Sequence, residues 1–407
     1  MQKINLIIWT ASSSGIGGTD TWTSDLKKRL RCSDYNLITM GESKIFAGEE
    51  RVDRIISSWH EAEKAIAGLA PAIVIPNWAY RIFGICAKLN GQGASLKCLG
   101  MCHADSAREY YEPLAWYESV ISRFIAVSPV CGEKLSGYIP HRKDDICCIP
   151  CGIEIPPAHN KAYSTSPLKL VYFGRIDQNQ KKVFDLVRLA ELLSLSDVDY
   201  TLDIIGSGFD AKTLSSMIKK SGAKDRISFF PRLAHSGLLE RIKDYDVFVT
   251  ASRYEGQSVS LGEAMANKLI PCVTRDTGGS WAVIDNGRNG FCVDIGDMHG
   301  MAEKIKILSN MKKEDLKIMG ENARDSVIKH FNIENTFPEF FSALGICAKE
   351  GKRQWAHDGN FVMPGYRHSP VLPQNALFGK VLKSFFKIVP KQTLRGILNK
   401  CRRSNDG

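Results

Sequence analysis

The chain lacks any apolar run long enough to span a membrane or to form the hydrophobic segment of an export signal. Its first such run, Ile4 to Trp9, is ended by Thr10 and the Ser12-Ser13-Ser14 cluster, far short of the roughly 20 residues a spanning helix needs. The expected location is the cytosol. It also lacks a cysteine framework. Twelve cysteines are scattered without regular spacing, so reduced thiols are expected rather than disulfides. Cys147, Cys148 and Cys151 form one loose group, and Cys98, Cys102 and His103 another, but neither has a second pair at zinc-site spacing. They read as small buried hydrophobes, and no metal is expected. No internal repeat and no low-complexity tract is present, which sets aside solenoids and wholly disordered chains.

What is present fits a globular protein with two cores. The 407 residues are 44% hydrophobic and 24% charged, more than one hydrophobic core usually serves. The formal charge is +10, but Gly351 to Gly407 alone holds eleven Lys and Arg against two Asp. The body is near neutral, and the basicity belongs to a tail.

Short apolar runs alternate with longer stretches of helical periodicity. In the first half the runs are Ile4 to Trp9, Ala72 to Ile75, Phe124 to Val127 and Ile146 to Ile149, with helices expected over Thr21 to Leu30 and Val52 to Ala67. This alternation predicts a mostly parallel sheet. A Pro- and Ser-rich stretch from Pro156 to Pro167 reads as a linker. The pattern then restarts with Leu168 to Phe173, Tyr200 to Ile205, Ile227 to Phe230, Val247 to Thr250, Ile270 to Thr274 and Phe291 to Val293. The fold class is therefore α/β, with two doubly wound, Rossmann-like domains facing across a cleft and a basic tail. The expected divisions are 1–155, a linker over 156–167, 168–345, and the tail 346–407.

In open parallel sheets, ligands bind at the carboxyl ends of strands. Gly174, Arg175 and Lys181 follow one such end and suit a diphosphate, because glycine admits close approach and arginine can bind two phosphate oxygens. Gly206-Ser207-Gly208 and Thr277-Gly278-Gly279-Ser280 follow two others, where glycines also serve as plain turn residues. The segment from Tyr254 to Ala266 says most. Glu255 lies in a loop after Val247 to Thr250, and a helix starting near Ser258 carries Glu263, so helix-start amides and two carboxylates flank one site. As a helix-capping carboxylate Glu263 would have a bland explanation; Glu255 has none.

Glu255 and Glu263 are separated by seven residues and preceded by Gly174-Arg175-Ile176 and Lys181. This pattern resembles the retaining family-4 glycosyltransferases of GT-B fold, over about residues 1 to 345. The resemblance implies that Arg175 and Lys181 bind a donor diphosphate, that Glu255 approaches the donor sugar and that Glu263 holds the ribose hydroxyls. It also implies that amides at Ser258 and Val259, with Gly174, Gly206 and Gly208, complete the donor contacts. Gly17-Gly18-Thr19 matches the family's glycine loop beside the donor phosphates, and His103 in Cys102-His103-Ala104-Asp105 matches its histidine facing the transferred sugar. One departure is that Ser280-Trp281 stands where the family carries Pro-Glu, which removes an expected donor contact.

The implied function is transfer of a sugar, with retention and without a metal or other cofactor, from a UDP- or GDP-sugar to a glycan or polyprenyl-linked acceptor in cell-surface polysaccharide synthesis. A non-catalytic nucleotide-sugar- or glycan-binding protein of the same fold is the alternative. A nicotinamide dehydrogenase is a weaker rival, because Gly15-Ile16-Gly17-Gly18 has Asp20 where the third glycine of the dinucleotide fingerprint belongs. Asp244-Tyr245-Asp246 imitates a metal-binding Asp-x-Asp but precedes its strand instead of ending it. Acceptor choice is expected in Asn77 to Phe83 and Asp105 to Trp116, where Tyr110, Tyr111 and Trp116 could stack on sugars or lie in the core. In the tail, Leu377, Phe378, Val381, Leu382, Phe385, Phe386, Ile388 and Val389 share one side of a helical projection opposite Lys380, Lys383 and Lys387. Residues 375–403 thus read as an anchor to an anionic membrane surface, not as a nucleic-acid site, with docking of the apolar faces on the protein's own domains as the alternative.

Overall fold

The computed structural model describes residues 3–10, 18–30, 34–42, 45–46, 50–351, 353, 355–357 and 360–364. Gly17 and the basic segment 375–403 lie outside them. Two parallel sheets dominate the described residues, beside a short antiparallel pair, Ile45–Phe46 with Glu50–Arg51. The first has seven strands in the order Arg54–Ile55, Tyr35–Gly41, Ile4–Thr10, Ala72–Ile75, Leu96–Cys102, Ile121–Ala126 and Ile146–Cys148. The second has six, in the order Ile227–Phe230, Tyr200–Ser207, Leu168–Arg175, Val247–Thr250, Ile270–Thr274 and Phe291–Val293. Helices cover both faces, so alternate side chains of each strand enter different cores: Trp9 packs with Trp59 and Phe83, whereas Leu6 and Ile8 pack with Trp22 and Phe340. Burial on both faces is why the strands read as continuous apolar runs.

Chain order reverses between Ile4–Thr10 and Ala72–Ile75 in the first sheet, and between Leu168–Arg175 and Val247–Thr250 in the second. Crevices open at the carboxyl ends of such strand pairs. The two crevices face each other.

Three expectations need correction. The stretch from Val52 is not helical until Trp59, because Ser58 caps the helix Trp59–Ala67 by accepting from the Glu61 amide at 3.2 Å, leaving Arg54–Ile55 to join the sheet edge. A strand, Tyr35–Gly41, was not anticipated; its polar first half hid the buried residues from Ile38 onward. The domain boundaries also differ, since the chain crosses back. The helix Ile333–Lys349 buries Ile333, Phe337, Phe340 and Leu344 against the first sheet, and Trp355, Phe361 and Met363 pack onto the opposite core of that same domain. The end of this helix and Trp355, Phe361 and Met363 thus pack on the N-terminal domain instead of starting a free tail.

Asp246 has a structural task at the amino end of its strand, remote from the cleft. Its carboxylate accepts from the Ser164 and Lys169 amides, both at 2.9 Å. Among the described residues no helix is long and apolar enough to cross a membrane.

The two chain crossings are tied together. Ile153 donates to the Phe331 carbonyl at 2.7 Å, and Ile333 donates to the Ile153 carbonyl at 3.1 Å. Beside them Gln257, from the C-terminal domain, accepts from the Cys151 amide at 2.6 Å and donates to the Cys151 carbonyl at 2.8 Å. Cys151, Ile153, Gln257 and Ile333 are buried and Phe331 is partly buried, and an orphaned buried polar group costs about 1–3 kcal/mol. Gln257→Ala is therefore expected to lower stability by at least that amount in a denaturant titration. An unchanged midpoint would show that the clamp does not hold the domains together.

Candidate functional site

Gly174 and Arg175 end the central strand of the second sheet, and the chain then folds into a turn in which the Asp177 carboxylate accepts from the Gln180 amide at 2.7 Å. This turn aims Gln180 and Lys181 at the neighbouring loop. Lys181 Nζ donates to Glu255 Oε1 at 2.5 Å, while Gln180 Nε2 reaches Glu255 Oε2 at 3.4 Å and the Tyr254 carbonyl at 3.1 Å. Arg175 donates to the Gln180 amide oxygen. Glu255 is 5% exposed, and a buried carboxylate persists only when paired and hydrogen-bonded. Lys181 supplies the charge and Gln180 the second bond. An ammonium has three donors, so the bond to Glu255 leaves Lys181 with capacity for phosphate oxygens.

His103 comes from the other domain, directly after the strand Leu96–Cys102. Its neighbour Ala104 forms an antiparallel bridge with Gly256, and the Asp105 amide donates to the Glu255 carbonyl at 2.9 Å. A side chain at Gly256 would fall on the His103 carbonyl, so only glycine permits this pairing. His103 Nε2 lies 3.1 Å from Asn77 Oδ1, with the rings of Trp22 and Tyr110 5.6 and 6.2 Å away. Burial pushes its pKa down to about 4. The imidazole is neutral near pH 7, with the Nε2 hydrogen donated to the Asn77 oxygen.

Glu263 sits on the helix Val259–Ala266, whose first turn is capped by Ser258 Oγ accepting from the Leu261 amide at 3.4 Å. The Glu263 carboxylate meets His235 Nε2 at 2.7 Å. That bond raises the His235 pKa above its ordinary value; burial opposes the rise, while Asp25 of the facing domain adds to it and Lys28 subtracts. Nearby, burial and the proximity of Glu255 push the Asp276 carboxyl up to about 6. It is held by the Gly278 amide at 2.9 Å and by the Ser280 hydroxyl.

One interdomain cavity of about 420 Å³ opens among these groups, with Asp276 and Asn77 behind its lining. The cavity brings together Glu255, His103, Arg175, Lys181, Gly18, Gly174, Gly206, Ser258, Val259 and Glu263. Gly208 does not line it; a side chain there would strike the Ile176 carbonyl, so its glycine serves the turn. Gly18 has a packing reason too, since a Cβ would stand 2.9 Å from Val259 Cγ2 across the cleft. Tyr110 and Tyr111 are buried, Tyr110 at the edge of the cavity, and the partly buried Trp116 stacks on His357 at 4.0 Å between centroids, so all three serve packing. The sequence reading passed over Gln180, His235 and Asp276. Gln180 adjoins Lys181 in sequence, but nothing local marked any of the three.

Comparison with known proteins places this geometry in a family of folds. Residues 158–326 match the model of the glycosyl transferases group 1. N-acetyl-alpha-D-glucosaminyl L-malate synthase of Bacillus anthracis is 29% identical over 161 residues, 39% of this chain and 41% of that protein. The putative glycosyltransferase EpsD of Bacillus subtilis is 27% identical over 207 residues, 51% and 47% of the two chains. The matched region thus spans less than half of either relative. Among solved structures, Anabaena HepE in complex with UDP-glucose aligns with a TM-score of 0.68, 14% identity, and coverage of 84% of this chain and 99% of that one. The fold is GT-B. Its two Rossmann-like domains and shared cleft agree with the architecture expected from the alternating strands.

The Glu263–His235 pair has a pH signature. A histidine whose folded pKa is raised contributes stability that is complete below its unfolded pKa, about 6.5, and is lost as pH rises through the higher folded value. Melting temperatures of the wild type and His235→Gln should therefore converge as pH rises from about 6 to 9. Parallel curves would show that the pair is neutral.

Proposed function

We propose that this protein is a glycosyltransferase that moves a sugar from a nucleoside-diphosphate donor, with retention of anomeric configuration and without a metal, to a glycan or polyprenyl-linked acceptor in cell-surface polysaccharide synthesis. The observation that carries the reading is the Glu255 carboxylate, gripped by Lys181 and Gln180 at the switch point of one sheet and set opposite His103 of the other. Arg175 and Lys181 supply positive charge where a departing diphosphate needs it, the task a divalent cation performs in other enzymes. Glu255 would accept hydrogen bonds from donor-sugar hydroxyls, His103 would face the sugar as a neutral imidazole, and Glu263 would receive the ribose hydroxyls. The Ser258 and Val259 amides at a helix start offer further phosphate donors. Two carboxylates near the cleft, Glu255 and Asp276, are held by other groups, which leaves neither as a free nucleophile. Attack by the acceptor on the leaving-group face is the route this favours. A UDP-sugar is the preferred donor class, because HepE was crystallised with UDP-glucose.

The test is Glu255→Gln, which keeps shape and removes charge. Transfer should fall by at least about 10²-fold, the scale of removing one preorganised polar group, while the melting curve stays cooperative and turnover by the wild type survives excess EDTA. Near-normal turnover in Glu255→Gln would remove the site assignment, and loss on chelation with recovery in magnesium or manganese would remove metal independence. Arg175→Ala combined with Lys181→Ala should weaken donor binding by about 3–6 kcal/mol.

The basic segment 375–403 is proposed to hold the protein at an anionic membrane surface, bringing a lipid-linked acceptor within reach. Its apolar and basic residues segregate on a helical projection, and each cation near such a surface contributes about 1 kcal/mol. Because Trp355, Phe361 and Met363 pack on the N-terminal core, the shortened chain for comparison should end after Pro364. The full chain should sediment with anionic vesicles at low salt and the shortened chain should not. Equal sedimentation, or none, would overturn the anchor.

A further inference from the structure

The N-terminal sheet has its own switch point, between Ile4–Thr10 and Ala72–Ile75, and the loop leaving the second of these strands is Pro76-Asn77-Trp78. Asn77 carries the hydrogen bond to His103. Trp78 is unusual in three respects. Its backbone is left-handed, with φ of 59°, a conformation costly for a bulky residue and found mainly where function or surrounding structure imposes it. It is 37% exposed. Of the exposed large hydrophobic side chains among the described residues, it is the one that lines the cleft.

The indole is fixed rather than loose. Its Nε1 donates to the hydroxyl of buried Tyr110, whose ring lies 6.2 Å away. The Ala79 amide closes the turn beneath it, donating to the Pro76 carbonyl at 2.7 Å and the Asn77 carbonyl at 2.8 Å. With its polar edge satisfied, the exposed remainder is apolar ring. Glu109 lines the same cleft and is solvent-exposed. Desolvation in the cleft raises its carboxyl pKa above the ordinary value, Arg175 of the facing domain opposes the rise and Asp177 adds to it. A rigid aromatic surface beside a carboxylate is the chemistry that binds a sugar ring, whose C–H face stacks on the indole and whose hydroxyls donate to the carboxylate. An anionic acceptor such as a polyol phosphate would be repelled by Glu109.

We infer that Trp78, with Glu109, forms the acceptor subsite and that it takes an uncharged sugar ring. The inference rests on the glycosyltransferase reading above. The residue next to Trp78 holds His103, so an acceptor seated on the indole would lie beside the histidine wall of the donor cleft. Tyr110, buried and unable to stack on a ligand, acts by holding Trp78.

The experiment is ligand-observed saturation-transfer NMR on the full chain with UDP present, using methyl α- and β-glycosides of glucose, galactose, mannose and N-acetylglucosamine. Wild type, Trp78→Ala and Trp78→Phe are compared, with UDP affinity measured calorimetrically for each. At least one glycoside should bind the wild type. Its dissociation constant should rise at least about tenfold in Trp78→Ala, the 1.4 kcal/mol scale of a lost aromatic contact, and recover most of the way in Trp78→Phe, with UDP affinity the same throughout. Unchanged glycoside binding in Trp78→Ala, or no glycoside binding to a wild type that binds UDP, would overturn the subsite while leaving the donor reading intact. Failure of the wild type to bind UDP or GDP would instead remove the donor reading, and this inference with it.

Discussion

One backbone pairing organises the cleft. The Asp105 amide donates to the Glu255 carbonyl, and Ala104 bridges to Gly256, so two segments from different domains meet as antiparallel strands. That contact requires glycine twice. A Cβ at Gly256 would strike the His103 carbonyl, and one at Gly278 would strike the Glu255 carbonyl. The pairing is reinforced by Ser128 Oγ donating to the Gly278 carbonyl at 3.0 Å and by Lys134 meeting the Asp105 carboxylate at 2.6 Å. His103 and Glu255 therefore have fixed positions relative to each other, although neither touches the other's domain through its side chain in these bonds. Preorganisation of this kind lets charged and polar groups act without reorganising during a reaction.

The second constraint is electrostatic. Glu255 and Asp276 are buried and Glu263 is partly buried, and unpaired carboxylates in such places would be costly. Each is answered differently. Glu255 has an ammonium and an amide, Glu263 has an imidazole whose pKa it raises, and Asp276 is pushed up to about 6 despite its hydroxyl and amide donors. His103, by contrast, has a neutral amide partner and is held uncharged. The cleft thus presents positive charge near Gly174 and a neutral imidazole on the facing wall.

Much of this was legible in the residues. Strand runs such as Ala72 to Ile75 and Val247 to Thr250 stand as anticipated, because burial on both faces leaves an apolar run with sharp polar ends. Glu255 stood out because a carboxylate in a loop between a buried strand and a buried helix has no capping role. The helix start at Val259 followed from Ser258, a favourable cap. The strand Tyr35–Gly41 escaped notice because Tyr35 and Leu37 are only partly buried and Asn36 is exposed, which breaks the pattern.

The sequence alone determined the two-sheet architecture and the local order of the motifs, since periodicity and turn chemistry act over a few residues and can be read one segment at a time. Only the tertiary structure decided which partners those motifs acquired. Gln180 and Lys181 are adjacent in the chain but grip opposite oxygens of a carboxylate 74 and 75 residues away. His235 reaches Glu263 across 28 residues, and Trp355, Phe361 and Met363 return to the N-terminal core after the chain has built the whole second domain. Such contacts depend on where folded elements come to rest, and no spacing along the chain encodes that distance.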